Sequence, residues 1–176
     1  MNAQIIWTLT LALTAAAAVL DWRSRHIPNW LTVPGFFLGV TVHTLSSGWH
    51  GTLFALEGAG LALLLLLTPV LMRYLGAGDW KLMGAVGAFV GPLMLLFVLF
   101  GSILISGLMG IVQILSANRV VETLRNMILL VRGFFFLGPK GSAQPSLDNP
   151  NSLKLPFGVA VAMATILCFC AARLVV

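Results

Sequence analysis

The longest uncharged stretch of this chain, from Leu82 to Asn118, limits its fold more than any other feature. Its 37 residues would extend about 55 Å as one α-helix, whereas the hydrocarbon core of a bilayer is about 30 Å thick. One crossing is too few for this length, so we place a turn at Gly91-Pro92. The helix before that turn is then short, tilted or partly re-entrant. Small residues recur every four positions in this stretch and permit close helix packing: Gly87 and Gly91, then Ser102, Ser106 and Gly110.

The composition of the whole chain indicates a membrane protein. Hydrophobic residues make up 59% of its 176 positions, charged residues only 9%, and the mean hydropathy is +1.01. At about 20 residues for each helical crossing, the chain has room for about six crossings and little else. We therefore expect an all-α bundle of six transmembrane helices, forming a single membrane-embedded domain over residues 1–176. The predicted spans are 1–20, 30–46, 54–72, 82–90, 93–116 and 156–174.

The basic residues indicate the orientation of the bundle and do not indicate nucleic-acid binding. Nine of the ten Lys and Arg residues fall in loops on one side of the predicted bundle, and Arg173 alone falls on the other. By the positive-inside rule the first side is cytoplasmic, so both termini face outward. Residues 15–18 resemble the end of a signal peptide, but Arg23 and Arg25 follow the apolar run, whereas a signal peptide begins with positive charge.

The long connection between the fifth and sixth spans, residues 117–155, is expected to be a cytoplasmic loop. Its first part, 119–137, mixes basic and apolar side chains and is predicted to lie along the membrane surface as an amphipathic segment. Its second part, 138–152, is rich in Gly, Pro, Ser and Asn, which is typical of a flexible loop. We favour a topology anchor over a substrate-docking role for this connection.

Five acidic residues are few enough to weigh one by one. Glu122 and Asp148 fall in the solvated loop, and Glu57 falls near the outer end of the third span, where structural or interfacial roles are expected. Asp21 and Asp79 instead lie where apolar runs meet cytoplasmic loops, at the same depth in the predicted bundle. An ionisable residue held next to lipid is costly, so these two are the functional candidates.

The two aspartates differ in their local setting. Asp21 follows the first helix, where the helix dipole disfavours a carboxylate. Asp79 precedes a helix, where a simple N-cap role is the structural alternative. Before it come Gly76 and Gly78, which allow backbone conformations that other residues resist and leave room for a substrate chain. The segment matches neither the GxGxxG nor the GxxxxGK template, so nucleotide binding is a weak hypothesis.

Two carboxyl groups that converge can hydrolyse a peptide bond, one as base towards water and the other as acid towards the leaving amine. This chemistry needs no metal and no cofactor, and we expect neither. Cys168 and Cys170 both lie in the last apolar run, on different sides of a helix, so no disulfide or zinc site is expected. His43 and His50 fall on the outer side and His26 stands alone in the first cytoplasmic loop, so polar loop or interface roles are expected for all three.

Three segments resemble motifs of one family, the membrane-embedded aspartic peptidases that process type IV prepilins. One resembles the family's GxGD motif, extended by its following Lys: Gly76-Ala77-Gly78-Asp79-Trp80-Lys81. Another resembles its first catalytic motif, an Asp shortly before an I-P-N element: Asp21, Arg25, Ile27, Pro28, Asn29 and Leu31. The third resembles the Pro-Phe-Gly start of the last helix, although Val159 stands where many members carry Pro: Lys154-Leu155-Pro156-Phe157-Gly158.

The resemblance implies that Asp21 and Asp79 are a catalytic pair, which cleaves a prepilin or pseudopilin precursor after its short basic leader. The site would face the cytoplasm from a bacterial inner membrane, with membrane lipid as the other partner. Longer members also N-methylate the product and carry a four-cysteine zinc site, for which this chain lacks the cysteines and the room. It therefore resembles the short type associated with Flp or Tad pili. The supporting residues that the motifs imply are Gly76, Gly78, Lys81, Arg25, Pro28, Asn29, Pro156, Phe157 and Gly158.

A non-catalytic membrane protein is the alternative hypothesis. A small proton-coupled transporter would use Asp21 and Asp79 as a proton relay, and a pilus assembly factor would keep the fold without the reaction. Leader cleavage separates these alternatives from a peptidase, because neither of them shortens a precursor.

Overall fold

The computed structural model describes residues 3–72, 75–116 and 156–175, and the regular structure within these ranges is entirely α-helical. The helices are α1, Ala3–Ser24; α2, Asn29–Leu71; α3, Ala77–Ser116; and α4, Phe157–Val175. Each is long and apolar enough to cross a membrane. The prediction of a helical membrane protein is confirmed. The predicted amphipathic segment 119–137 and loop 138–152 lie outside the described residues.

The described residues form four helices, where the sequence predicts six spans. Predicted spans 30–46 and 54–72 belong to the single helix α2, which bends sharply at Gly48, where φ is 58° and ψ is -137°. Across the bend the hydroxyl oxygens of Thr44 and Thr52 lie 2.8 Å apart, although eight residues of straight helix would separate them by about 12 Å. Because glycine adopts this conformation at little cost, the chain changes direction here without a loop.

Helix α3 is also interrupted, at the position where the sequence predicts a turn. Gly91 has φ 76° and ψ 177°, and the following Pro92 has no N–H to continue the helical hydrogen bonds. The predicted spans 82–90 and 93–116 are therefore two arms of one helix. The position of the interruption is confirmed, and the two helical segments meet at Gly91 without a loop between them.

His43 supplies a hydrogen bond that the interruption of α3 removes. Carbonyl groups just before a helix break lose their usual donors four residues further on, and His43 Nε2 donates to one of them, the carbonyl of Phe89, at 2.8 Å. His43 is 8% exposed, and its ring lies against that of Phe54 with 5.2 Å between centroids. The expectation of a loop or interface role for His43 was wrong, because this residue is buried within α2.

The first arm of α3 occupies the centre of the packed helices. Every residue over 82–91 is buried, and the largest of these side chains, Phe89, is 1% exposed. A helix segment that is apolar around its whole circumference is expected to pack on all sides. The outer surface keeps large apolar side chains such as Leu64, Phe100 and Leu174 exposed. Apolar exposure on this scale fits contact with lipid rather than with water.

Helices α2 and α3 approach closely where two glycines face each other. A Cβ atom on Gly58 would overlap the carbonyl oxygen of Gly87, and a Cβ atom on Gly87 would lie 2.5 Å from the carbonyl oxygen of Gly58. Neither position has room for a side chain. Small residues allow helix backbones to approach in this way in membranes. The prediction of a packing role for Gly87, made from its four-residue spacing to Gly91, is confirmed.

We expect Gly58→Val to destabilise the folded protein by about 2 kcal/mol or more, because the added side chain must push α2 and α3 apart. Thermal unfolding in detergent micelles measures the effect. Gly60→Val is the matched control, since it makes the same change two positions along α2, where a Cβ meets nothing within 4 Å. Equal losses of melting temperature in the two variants would contradict the close contact.

Four residues, 25–28, reverse the chain between α1 and α2. Helix α1 closes with a 2.8 Å hydrogen bond from the Arg25 N–H to the Asp21 carbonyl oxygen, and Arg25 has a φ of 49°. This left-handed conformation costs a non-glycine residue about 1–2 kcal/mol. Ile27 is then buried in the core, 3% exposed, and the extended Pro28 begins α2.

Both aspartates and helix α4 belong to one compact unit, made of residues 1–106 and 156–176. Helix α3 ends in a second unit, residues 107–155, of which the structure describes Gly107–Ser116. The expectation of a single domain over residues 1–176 stays a prediction.

Candidate active site

Asp21 lies near the end of α1 and contacts the start of α4. Its carboxyl group is buried, with 6% of the residue exposed, and its Oδ2 accepts a hydrogen bond from the Gly158 N–H at 2.7 Å. Gly158 is the second residue of α4, where backbone N–H groups have no partner inside the helix. The Asp21 carboxyl group supplies the missing hydrogen-bond acceptor, and the positive end of the α4 dipole favours negative charge there. This arrangement offsets the unfavourable position of Asp21 at the end of α1.

The Pro-Phe-Gly segment is held directly against Asp21. A Cβ atom on Gly158 would lie 3.0 Å from both the Cβ and the Oδ2 of Asp21, which is closer than side chains normally pack. The carbonyl of Pro156 accepts a hydrogen bond from the Val159 N–H at 3.2 Å, and Phe157 packs on the hydrophobic core. Of the three predicted supporting residues of this segment, Gly158 contacts Asp21, and Pro156 and Phe157 precede it at the start of α4.

Asp79 is the third residue of α3 and lies inside its first turn, not before the helix as the sequence predicts. The backbone of Gly76 hydrogen-bonds its half-buried carboxyl group, and the Trp80 N–H donates to the Gly76 carbonyl at 3.2 Å. An acid at this position that reaches back to the residue before the helix forms half of a capping box. Asp79 therefore helps to start α3, in addition to any role in chemistry.

The carboxyl groups of Asp21 and Asp79 lie within coulombic range of each other. Arg25, which closes α1, lies within range of Asp21. Two carboxyl groups in such proximity can divide the tasks of base and acid between them. The structure thus brings together the two aspartates that the sequence singles out, and their catalytic role stays a prediction.

Further contacts join the α1–α2 loop to the first turn of α3. A Cβ atom on Gly78 would lie 3.0 Å from the carbonyl oxygen of Ile27, so glycine lets the loop approach the α3 backbone. Lys81 Nζ donates a hydrogen bond to Asn29 Oδ1 at 2.9 Å. Of the predicted supporting residues of the first two motifs, Lys81 contacts Asn29 directly and Gly78 lies against the loop at Ile27.

The indole of Trp80 is a contact that sequence reasoning missed. Its Nε1 donates to the carbonyl of Leu63 in α2 at 2.8 Å, which ties the residue after Asp79 to a second helix. A Trp beside an apolar run gives no sign of such a partner in the sequence. His26, His50 and Glu57 are exposed, as expected for residues outside a buried site.

Comparison with known proteins identifies a family. Residues 8–111 match the model of the type IV leader peptidase family. The matched range covers 104 of the 176 residues and contains Asp21, Asp79, Asn29 and Lys81, whereas Gly158 lies beyond it. No curated protein matches the chain, and no solved structure matches it.

Proposed function

Because this chain belongs to the type IV leader peptidase family, we propose that it is an aspartic endopeptidase that removes the leader of type IV prepilin-like proteins. Because members of this family are membrane-embedded proteases, the chain is a protease of that kind, as its motifs predict. The observation that carries the aspartic mechanism is the placement of Asp21 and Asp79 within coulombic range of each other. Each carboxyl group is also hydrogen-bonded by backbone at the start of a helix, which orients it.

In the proposed reaction, one carboxylate accepts a proton from water as the water oxygen attacks the scissile carbonyl carbon. The other carboxyl group, protonated at that moment, gives its proton to the leaving amine. The peptide C–N bond breaks, and the products are the leader with a new carboxylate and the pilin with a new amino terminus. After the reaction the former base carries a proton and the former acid is ionised. The pair therefore again has one protonated and one ionised carboxyl group for the next substrate.

We further propose that α2 crosses the membrane twice, and that the two arms of α3 enter the membrane and return, meeting inside it at Gly91. Their 43 and 40 residues correspond to about 64 and 60 Å of helix, about twice the thickness of the hydrocarbon core. With α1 and α4 this gives six helical segments in a bacterial inner membrane. Nine of ten basic residues then fall on the cytoplasmic side together with the aspartates, and both termini face outward.

The proposal does not include N-methylation of the product. The zinc site that accompanies this second activity in longer members requires four cysteines, and this sequence has two, Cys168 and Cys170. Both lie on α4. We therefore place the chain with the short peptidases associated with Flp or Tad pili.

Co-expression with a prepilin-like precursor tests the proposed function. In a host that lacks its own prepilin peptidase, we expect the precursor to be shortened when this chain is present, with the new amino terminus directly after the leader. Gel mobility and mass spectrometry of the product measure this. A precursor that stays at full length beside correctly inserted protein would support the transporter or assembly-factor alternative instead.

We expect recognition of the substrate to depend on apolar contact with its membrane helix. The leader is expected to be basic and this chain carries a net charge of +5, so overall attraction between charges does not recruit it. A soluble peptide that spans the cleavage site but lacks the apolar helix should show a kcat/KM about tenfold or more below that of the full precursor in nanodiscs. Equal kcat/KM values for the two substrates would contradict docking through the helix.

A further inference from the structure

The first turn of α3 is tied to the first residue of α2 by one side-chain contact. Lys81 Nζ lies 2.9 Å from Asn29 Oδ1. Because the Lys ammonium only donates hydrogen bonds, the Asn29 amide must present its oxygen here. Asn29 is exposed and Lys81 half-buried, and exposed contacts between long side chains contribute little to overall stability. A large effect of breaking this contact on the reaction would therefore not be explained by unfolding.

Lys81 does not act on the Asp79 carboxyl group directly. Residues two apart on an α-helix point about 200° away from each other around the axis, so the two side chains leave α3 on different sides. Lys81 instead reaches the far end of the loop 25–28, whose near end closes α1 through the hydrogen bond from Arg25 to Asp21. The Lys81 contact thus connects α3 to the end of α1 through only a few residues.

A second contact holds the same loop nearer its middle. Ile27 lies against the α3 backbone at Gly78, where a Cβ would be 3.0 Å from the Ile27 carbonyl oxygen. This contact, with the Ile27 side chain buried in the core, fixes the distance between loop and helix at one point. The bond between Lys81 and Asn29, about one turn further along α3 and two residues further along the chain, adds a second fixed point, which restricts rotation of the loop about the first.

We infer that Lys81 and Asn29 are positioning residues, which hold α1 and α3 in the register that places the Asp21 and Asp79 carboxyl groups within coulombic range of each other. The consequence for the reaction rests on the proposed function. Catalytic groups are sensitive to small displacements, since about 1 Å of misplacement lowers a rate by up to about 100-fold. Without the contact, the loop pivots at Gly78 and the end of α1 moves with it.

Kinetic constants test the inference. Asn29→Ala and Lys81→Met should each lower kcat about tenfold and leave KM within about twofold. The kcat of the double variant should be no lower than that of the less active single variant, because both changes remove the same contact. Asn29→Asp keeps an oxygen acceptor for Lys81 and should restore most of the lost kcat. Thr41→Ala, at an exposed position of α2 where the hydroxyl bonds the Phe37 carbonyl of the same helix, controls for the general effect of removing a polar side chain from α2. Raised KM with unchanged kcat, or additive losses, would overturn the inference.

A measurement without catalysis separates this inference from the proposed function. The variant Asp21→Cys/Asp79→Cys, in a background with Cys168→Ala and Cys170→Ala, reports the separation of the two positions through its rate of reaction with a short bifunctional thiol reagent. Adding Asn29→Ala or Lys81→Met should slow the cross-link several-fold, and Asn29→Asp should not. If Asn29→Ala and Lys81→Met both leave the cross-linking rate and the melting temperature unchanged, the positioning role is overturned, even if the wild-type protein cleaves prepilin. A slowed cross-link would support it even if no prepilin is cleaved.

Discussion

Asp79→Asn lowers kcat for leader cleavage by about 1000-fold or more and leaves the protein folded, if Asp79 exchanges a proton in the reaction. Asn has the same shape, and its Oδ1 still accepts the backbone hydrogen bond from Gly76, so the start of α3 stays capped. The same holds at Asp21, where Asn still accepts from the Gly158 N–H. Both Asn variants therefore remove acid-base chemistry while they keep the hydrogen bonds of the site. Cleavage of a purified precursor in nanodiscs is the measurement.

Comparison with Ala variants distinguishes the structural role of Asp79 from its chemical role. Asp79→Ala removes the cap as well as the proton and should cost about 1 kcal/mol of stability beyond Asp79→Asn. As a control, Glu57→Gln neutralises an exposed carboxylate outside the site, on α2, and should leave the rate of cleavage unchanged. Retained cleavage in the Asn variant of either aspartate would remove that residue from the proposed pair.

Gly158→Ala is expected to lower kcat by about 100-fold, because it displaces Asp21 rather than removing it. The added Cβ would lie 3.0 Å from the Asp21 Cβ and Oδ2, so either the carboxyl group or the start of α4 must shift. The 2.7 Å hydrogen bond that orients the carboxyl group is then lost or lengthened. Steady-state kinetics, with the melting temperature measured alongside, show whether the loss lies in kcat.

Gly101→Ala is the matched control for that change. Its Cβ would lie 3.2 Å from the Ala164 Cβ, so it crowds α4 from a different helix, α3, at a point without a carboxyl group. We expect this variant to keep most of its activity. If the two glycine variants lost activity equally, general packing of α4 and not the position of Asp21 would be the cause.

Asp21 and Asp79 could be chosen from the sequence because acidic residues are scarce in this chain. With five acidic residues in the chain, the two at the ends of apolar runs stood out, because lipid gives an ionised group few structural uses. How the chain brings the two carboxyl groups within coulombic range of each other could not be predicted. It depends on a reversal over four residues with Arg25 at positive φ, a conformation that local rules associate with Gly, Asn or Asp rather than with Arg.

The number of helices was harder to predict than their apolar character. The segment 47–53 contains Ser47, Gly48 and Gly51, which is typical of a loop, yet it lies inside α2. The reversal needs no loop, because the non-helical φ and ψ of Gly48 let two helical segments meet at that residue. His43 was misjudged for a related reason. Its partner is a carbonyl group set free by the break at Gly91, and a single His in an apolar run gives no periodic signal of that partner.

The short first arm of α3 has a consequence for the supply of water. From Ala77 to the break at Gly91 it has 14 helical residues, about 21 Å, and the hydrocarbon core is about 9 Å thicker. Its two ends cannot both reach a membrane boundary. At the Gly91 end a protein side chain, His43, donates a hydrogen bond to the Phe89 carbonyl that the break leaves without its helical donor, as is required where backbone is interrupted away from water. We therefore expect Gly91 to be the submerged end and Asp79 to lie level with the lipid headgroups. The attacking water molecule would then come straight from the aqueous phase, without a channel through the helices.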